Sequence, residues 1–111
     1  MNVERGSIFY AALREKGTLE KNRPCLIVQN DLGNRYANNT IVAAILHDTQ
    51  KALPIHVAIP RSVGGMTKDS IVDCGQLATI SKDKLGRMAG HLPEEYMRRV
   101  DSALKISLEL H

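Results

Sequence analysis

The chain has 111 residues, a formal net charge of +3 and a sequence pI near 9.0. A chain of this length has room for one hydrophobic core, so we expect a single domain over residues 1–111. Its apolar fraction of 43% and charged fraction of 24% are typical of a folded globular protein and argue against intrinsic disorder. The mild positive charge permits a polyanionic partner without requiring one.

The cysteines and the apolar runs indicate the cellular compartment. Cys25 and Cys74 each lie inside an apolar run with no CxxC or Cys/His spacing around them, which predicts buried free thiols. The first residues, MNVERGSIFYAAL, lack the apolar core of a signal peptide, and no apolar stretch is long enough to span a bilayer. We therefore expect a cytoplasmic protein that has no membrane partner.

Short apolar runs rich in β-branched residues predict strands in the first part of the chain. The polar segments at residues 14–22 and 30–39 are rich in charged or turn-forming residues and are predicted to be loops. Gly64 and Gly65 predict the turn before the last strand. The predicted strands are residues 7–13, 24–29, 40–46, 56–59, and a fifth made of 70–73 with 77–80.

From Ser81 onward the pattern becomes helical. The segment SKDKLGRMAGHL predicts one or two helical turns, capped by Ser81 and closed near Gly90. In residues 93–110, apolar residues recur at intervals of three and four, which predicts an amphipathic helix with Pro93 in its first turn. Strands followed by helices predict an α+β domain, in which an antiparallel sheet curls around its own core and the C-terminal helix covers an open side.

Four segments closely resemble the MazF/PemK family: RGSIFYAAL (5–13), RPCLIVQNDLGNRY (23–36), TIVAAI (40–45) and VDSALKISL (100–108). Their order and spacing agree with the family over nearly the whole chain. The resemblance implies a small curled antiparallel β-barrel of the CcdB/MazF plasmid-toxin type, which forms a homodimer. It also implies a sequence-specific endoribonuclease toxin that cuts single-stranded mRNA without a metal or other cofactor and is neutralised by a cognate antitoxin.

Cleavage in this family resembles that of pancreatic-type ribonucleases, in which the 2'-hydroxyl attacks the adjacent phosphate and leaves a 2',3'-cyclic phosphate. The reaction needs a base, an acid, and a cation that stabilises the charge on the phosphate oxygens. Arg23 stands where the family has its catalytic arginine, and a guanidinium can hold two phosphate oxygens at once. An isolated arginine at a strand start would more simply solvate a loop end, so this assignment depends on the surrounding RPxLIxQND match.

The position after VAAI often carries a Thr or Ser in the family, whose hydroxyl contacts the scissile phosphate, and here it is Leu46. We expect His47, or otherwise Thr49, to replace it, since an imidazole titrates near neutral pH. A loop histidine without a catalytic task fits the sequence equally well. His56 is expected to be mainly structural, with at most a supporting role in RNA binding.

Further RNA contacts are expected in the segment DCGQLATI and in the loop at residues 14–22. Relatives often have an arginine where Ala78 stands, but Gln76 remains, and its amide can either read a base edge or bond to the backbone. The loop is shorter and more basic than in relatives, and Thr18 and Lys21 are expected to contact RNA there. A solvated hairpin tip is the alternative for this loop.

The apolar residues Leu46 and Ala78 leave a second function open. The chain would then be a catalytically degenerate toxin-fold module that binds antitoxin or RNA without cleavage.

Overall fold

The computed structural model describes residues 2–14, 20–47 and 53–111. The strands predicted from short apolar runs and the C-terminal helix predicted from residues 93–110 are confirmed, but the predicted loop at residues 14–22 was too long at both ends, because the first strand extends to Arg14 and the second begins at Glu20. The elements are β1 (Ser7–Arg14), β2 (Glu20–Ile27), α1 (Asp31–Tyr36), β3 (Asn39–Leu46), β4 (His56–Ile59), β5 (Ser70–Ser81), β6 (Leu85–His91) and α2 (Glu94–Leu108), with 3₁₀ turns at Val63–Gly65 and Lys82–Lys84.

The six strands form one antiparallel sheet in the order β4-β5-β3-β2-β1-β6. The sheet curls, because the turn that follows β4 packs against β6 at the opposite edge. A Cβ added to Gly65 would lie 2.1 Å from the carbonyl oxygen of Ala89, so only glycine permits this approach. The predicted fold class is therefore confirmed as a curled antiparallel sheet with a C-terminal helix, and the sheet curls without closing.

The two faces of the sheet carry separate apolar clusters, because side chains alternate along each strand. The paired residues Ile8 and Leu26 belong to the larger cluster, which α2 covers with Val100 and its neighbours. The next pair, Phe9 and Cys25, belongs to the smaller cluster on the opposite face. Functional side chains on this second face are therefore not covered by α2.

Residues 81–90 do not form the predicted helical turns, and that prediction was wrong in its main part. Ser81 does cap a turn, since its hydroxyl accepts from the backbone N–H of Asp83, but the turn is a 3₁₀ turn and ends at Lys84. The chain then continues as β6, which pairs with β1 through Phe9 and Met88. Pairing with β1 outweighs the local helical pattern, a context effect that a short segment cannot reveal.

The predicted loop at residues 30–39 was also wrong in part, because it contains α1. Asn30 caps this helix by accepting a hydrogen bond from the N–H of Gly33 at 2.8 Å. The side chain of Asn34 is buried and bonds to the carbonyl oxygen of Gln29 and to Thr40 Oγ1, so it ties α1 to the start of β3. The polar QND-GNR segment is thus architectural.

Cys25 and Cys74 are free and buried, which confirms their predicted state. Burial raises the pKa of the Cys25 thiol to about 12 and that of the Cys74 thiol to about 11. Among the described residues, no helix is both long enough and apolar enough to cross a membrane.

Candidate active site

An open cleft of about 750 Å³ lies on the sheet face opposite α2. Among the described residues that line it are two cations, Arg23 and Lys84, and no carboxylate. This charge distribution suits a phosphate-bearing ligand. The lining residues are Ala12, Leu13, Arg23, Val42, Ala44, Leu46, Gln76, Leu77, Ala78, Thr79, Ile80, Ser81 and Lys84.

Arg23 reaches the cleft because of its register on β2. It pairs with Ala11 of β1, which belongs to the smaller apolar cluster, so its side chain lies on the face that α2 leaves open. The residue is half-buried, which partly shields the guanidinium from water and strengthens its interaction with an anion. Arg23, the cation predicted from the sequence to bind phosphate, therefore lines the cleft.

Leu46 and Ala78, the two apolar replacements singled out in the sequence, also line the cleft. Leu46 lies at the end of β3, and Ala78 of β5 pairs with Val42. The structure therefore brings Arg23, Leu46, Gln76 and Ala78 to one surface. Neither Leu46 nor Ala78 can donate a hydrogen bond from its side chain, so these two positions offer a ligand no polar side-chain contact.

A β-bulge in β5 turns Gln76 into this cleft. The β3–β5 register jumps from Ala43–Leu77 to Ala44–Asp73, so residues 74–76 leave the ladder. Three hydrogen bonds hold the bulge in place. The N–H of Cys74 donates to the carbonyl oxygen of Ile55, and the carbonyl oxygen of Cys74 accepts from the hydroxyl of Ser107 in α2. The N–H of Gly75 donates to the carboxylate of Asp73.

The buried carboxylate of Asp73 organises the polar groups around the bulge. One oxygen, Oδ1, accepts from the Gly75 N–H at 2.8 Å, and the other, Oδ2, accepts from the Gln76 side-chain amide at 2.8 Å. His56 Nε2 lies 3.4 Å from Oδ1. Gln76 thus bonds to a carboxylate and not to the backbone, and the remaining polar atoms of its amide are available at the cleft.

His56 is oriented by its own hydrogen bond to the backbone. Its Nδ1 accepts from the N–H of Leu53 at 3.1 Å, which leaves the ring proton on Nε2, the atom that lies closest to Asp73. The imidazole is half-buried and is not among the residues that line the cleft. Its position fits the structural role expected from the sequence.

His47 is exposed at the end of β3 and is likewise not one of the cleft-lining residues. Its Nδ1 lies 3.0 Å from Ser70 Oγ, and that hydroxyl donates its only proton to the carbonyl oxygen of Lys68. Nδ1 must therefore carry the proton of this contact, which leaves the Nε2 of the neutral ring as a proton acceptor. His47 directly follows Leu46, whose side chain does line the cleft.

The side chains of three other predicted site residues lie outside the part of the chain that the structure describes. Thr18 and Thr49 lie outside the described residues. The backbone of Lys21 pairs with Leu13 of β1, but its side chain lies outside the described part of the chain.

Lys84 and Asp73 are two residues of this region that the sequence does not predict. Lys84 was assigned to a helical segment and gave no signal of its own, because only the β1–β6 pairing brings it to the cleft. Asp73 was read as a strand residue, although an Asp two residues before a Gly is a pattern in which the carboxylate accepts a local backbone N–H. Within the described parts of the chain, His, Cys, Asp and Glu side chains form no group of three that would hold a metal ion.

Comparisons with known proteins agree over nearly the whole chain. The family model for the PemK-like, MazF-like toxin of type II toxin–antitoxin systems matches residues 4–108. The endoribonuclease EndoA of Bacillus subtilis is 43% identical over 113 residues, which cover 99% of this chain and 97% of that protein. The endoribonuclease MazF of Staphylococcus saprophyticus is 38% identical over 112 residues, which cover 98% of this chain and 93% of that protein.

A solved structure shares the fold. It is an endoribonuclease in complex with its cognate antitoxin from a mycobacterial species, with a TM-score of 0.82 and 27% sequence identity. The match covers 98% of this chain and 97% of that one.

Proposed function

The chain belongs to the PemK-like, MazF-like toxins of type II toxin–antitoxin systems, and from this premise we propose that it is a sequence-specific endoribonuclease that cuts single-stranded mRNA without a metal ion. The observation that carries the proposal is the cleft, where half-buried Arg23 and exposed Lys84 provide positive charge beside the base-reading candidate Gln76. We assign residues 1–111 to one toxin domain.

In the proposed reaction, the 2'-hydroxyl attacks the adjacent phosphorus atom, and the bond from phosphorus to the 5'-oxygen breaks. A base takes the proton of the 2'-hydroxyl, and an acid or water gives a proton to the leaving 5'-oxygen, so the products are a 2',3'-cyclic phosphate and a free 5'-hydroxyl. Arg23 binds the phosphate oxygens, whose negative charge increases as the phosphorus becomes five-coordinate. A cation fixed in this position stabilises the transition state more than the ground state.

Proton transfer is assigned to His47, with Thr49 as the second candidate for contacting the phosphate. The hydrogen bond between His47 Nδ1 and Ser70 leaves Nε2 as a proton acceptor, as the base that takes the 2'-hydroxyl proton must be. Leu46, the preceding residue, lines the cleft without a hydroxyl, so His47 would act from the end of the same strand.

RNA binding is assigned to five residues with different tasks. Gln76 contacts a base from the cleft, and Thr18 and Lys21 contact the RNA from the segment between β1 and β2 and from its edge. His56 contributes indirectly through Asp73. Lys84 adds a phosphate contact in the same cleft as Arg23.

The proposed partners follow from the family. The mycobacterial relative is described in complex with its cognate antitoxin, and we assign this chain an antitoxin partner of the same kind. A homodimer and a cytoplasmic location belong to the same proposal.

The proposal is tested by incubating the purified protein with a long single-stranded RNA in EDTA and mapping the cut ends. We expect discrete cuts that leave 2',3'-cyclic phosphates and that disappear in Arg23→Ala. Lys105→Ala, which removes a cation on the opposite face, is the matched control and should cut like the wild type. Equal cutting by the wild type and Arg23→Ala would refute the assignment of Arg23.

The apolar side chains of Leu46 and Ala78 in the cleft favour one alternative, a toxin-fold module that binds RNA or antitoxin without cutting. This alternative predicts intact RNA in the same assay and no growth arrest when the protein is expressed in a bacterial host. Growth arrest that is relieved by Arg23→Ala would exclude it.

A further inference from the structure

Asp73 lies beside the proposed RNA-binding cleft but does not line it. It is 6% exposed, and its carboxylate receives the N–H of Gly75 on Oδ1 and the amide of Gln76 on Oδ2. His56 approaches Oδ1 with the ring nitrogen that carries the proton. The donors therefore converge on a group whose only function in this network is to accept hydrogen bonds.

This arrangement determines which way the Gln76 amide faces. A carboxylate accepts and cannot donate, so the NH₂ group of Gln76 must point to Asp73. The carbonyl oxygen Oε1 then points away from Asp73. The hydrogen bonds that the preceding bulge residues make with Ile55, Ser107 and Asp73 hold the backbone of Gln76 in place, so its side chain meets the Asp73 carboxylate from a fixed position.

We propose that Asp73 is a specificity-determining positioning residue, which fixes the Gln76 amide so that its carbonyl oxygen accepts an N–H from one base of the RNA. The inference rests on the proposed function in that it requires RNA in the cleft, but it does not require cleavage. The base selected at this subsite presents a donor, such as an exocyclic amino group or a ring N–H, at the edge that meets Gln76.

The substitution Asp73→Asn separates this role from a purely structural one. Asn keeps the size of the side chain, and its Oδ1 still accepts from Gly75 and His56. In place of Oδ2 it presents an NH₂ group, which donates to Gln76 Oε1 and reverses the amide. The bulge therefore remains, while Gln76 presents N–H donors to the RNA.

The experiment selects binders from a random 2'-fluoro RNA library, which lacks the 2'-hydroxyl nucleophile and stays uncut. We compare the wild type, Asp73→Asn, Gln76→Ala and the double variant. Asp73→Asn should change the preferred base at one position by roughly tenfold or more in relative enrichment, within the range of a hydrogen-bonded base contact. Gln76→Ala should erase the preference at that position, and the double variant should behave like Gln76→Ala.

A second variant covers the case in which Asp73→Asn does not fold. In Asp73→Ser, the hydroxyl can still accept from the Gly75 N–H in a local turn but is too short to reach Gln76. It should weaken the preference at the same position without reversing it.

The inference is overturned if Asp73→Asn lowers binding equally for all sequences, if its selected motif equals that of the wild type, or if the wild type selects no motif. The proposed function is tested separately, by measuring cleavage of unmodified RNA by the same proteins. A selected motif without cutting refutes the cleavage and leaves the role of Asp73 standing, whereas cutting with an unchanged motif refutes the role of Asp73 alone.

Discussion

Replacing Lys84 with alanine should reduce the salt dependence of RNA binding by one phosphate contact. Lys84 lines the same cleft as Arg23, and none of the described residues that line this cleft is a carboxylate. For single-stranded nucleic acid, each neutralised phosphate contributes a slope of about −0.7 to the plot of log K against log salt. Between about 50 and about 200 mM salt, one contact therefore changes the affinity by roughly threefold.

The assay is a titration of a 2'-fluoro RNA at several salt concentrations, because this RNA binds without being cut. Lys105→Ala is the matched control: Lys105 is exposed near the end of α2, on the other side of the sheet, and both substitutions lower the formal net charge of +3 by one unit. A Lys84→Ala slope equal to that of the wild type would refute the phosphate contact. An equal change in both variants would show that net charge, and not the cleft, sets the slope.

Four further predictions concern the stability of the fold and the reactivity of its side chains. Gly65→Ala should lower the free energy of unfolding by about 3 kcal/mol, because the added Cβ would lie 2.1 Å from the Ala89 carbonyl oxygen and the backbone φ of Gly65 is +81°. Urea denaturation measures the free energy of unfolding, and a loss below about 1 kcal/mol would contradict the prediction. Cys25 and Cys74 should stay unreactive to thiol reagents near pH 8, because burial raises the pKa of the Cys25 thiol to about 12 and that of the Cys74 thiol to about 11. Rapid labelling of the native protein would disprove this. The same shifts should make stability fall as the pH rises above the ordinary thiol pKa of 9.0, since the unfolded thiols ionise first. The Arg5 backbone N–H lies 2.6 Å from Asp31 Oδ1, and this hydrogen bond lowers the pKa of Asp31. The stability that the bond contributes should therefore be lost only as the pH falls below the ordinary carboxyl pKa of 3.8. A pKa of Asp31 at or above 3.8, measured by NMR titration, would contradict this.

The sequence predicted the elements whose signal is local. Residues 41–46 are a continuous apolar run and form most of β3, and the spacing of Met97, Val100 and Ala103 identifies the buried face of α2. Arg23 was found because its neighbours match a family motif, and the structure places it in the cleft.

What the sequence did not reveal depends on long-range contacts. Residues 85–91 contain Gly86 and Gly90 and have a weak apolar pattern, and they become a strand only because β1 offers an edge for pairing. The role of Asp73 depends on a register jump between β3 and β5, and the cleft position of Lys84 depends on β6. Neither the role of Asp73 nor the cleft position of Lys84 can be predicted from the few residues on either side of it in the sequence.

The most direct test of the account is the rate at which one end-labelled single-stranded RNA is cut in EDTA by the wild type, Arg23→Lys and Arg23→Ala. Removing a charged group that stabilises the transition state should slow cleavage by about 100-fold or more, so we expect Arg23→Ala to be the slowest. Arg23→Lys should be intermediate, because an ammonium keeps the charge without the two-pronged geometry. Equal rates for the wild type and Arg23→Ala would contradict the assignment of the cleft as the catalytic site.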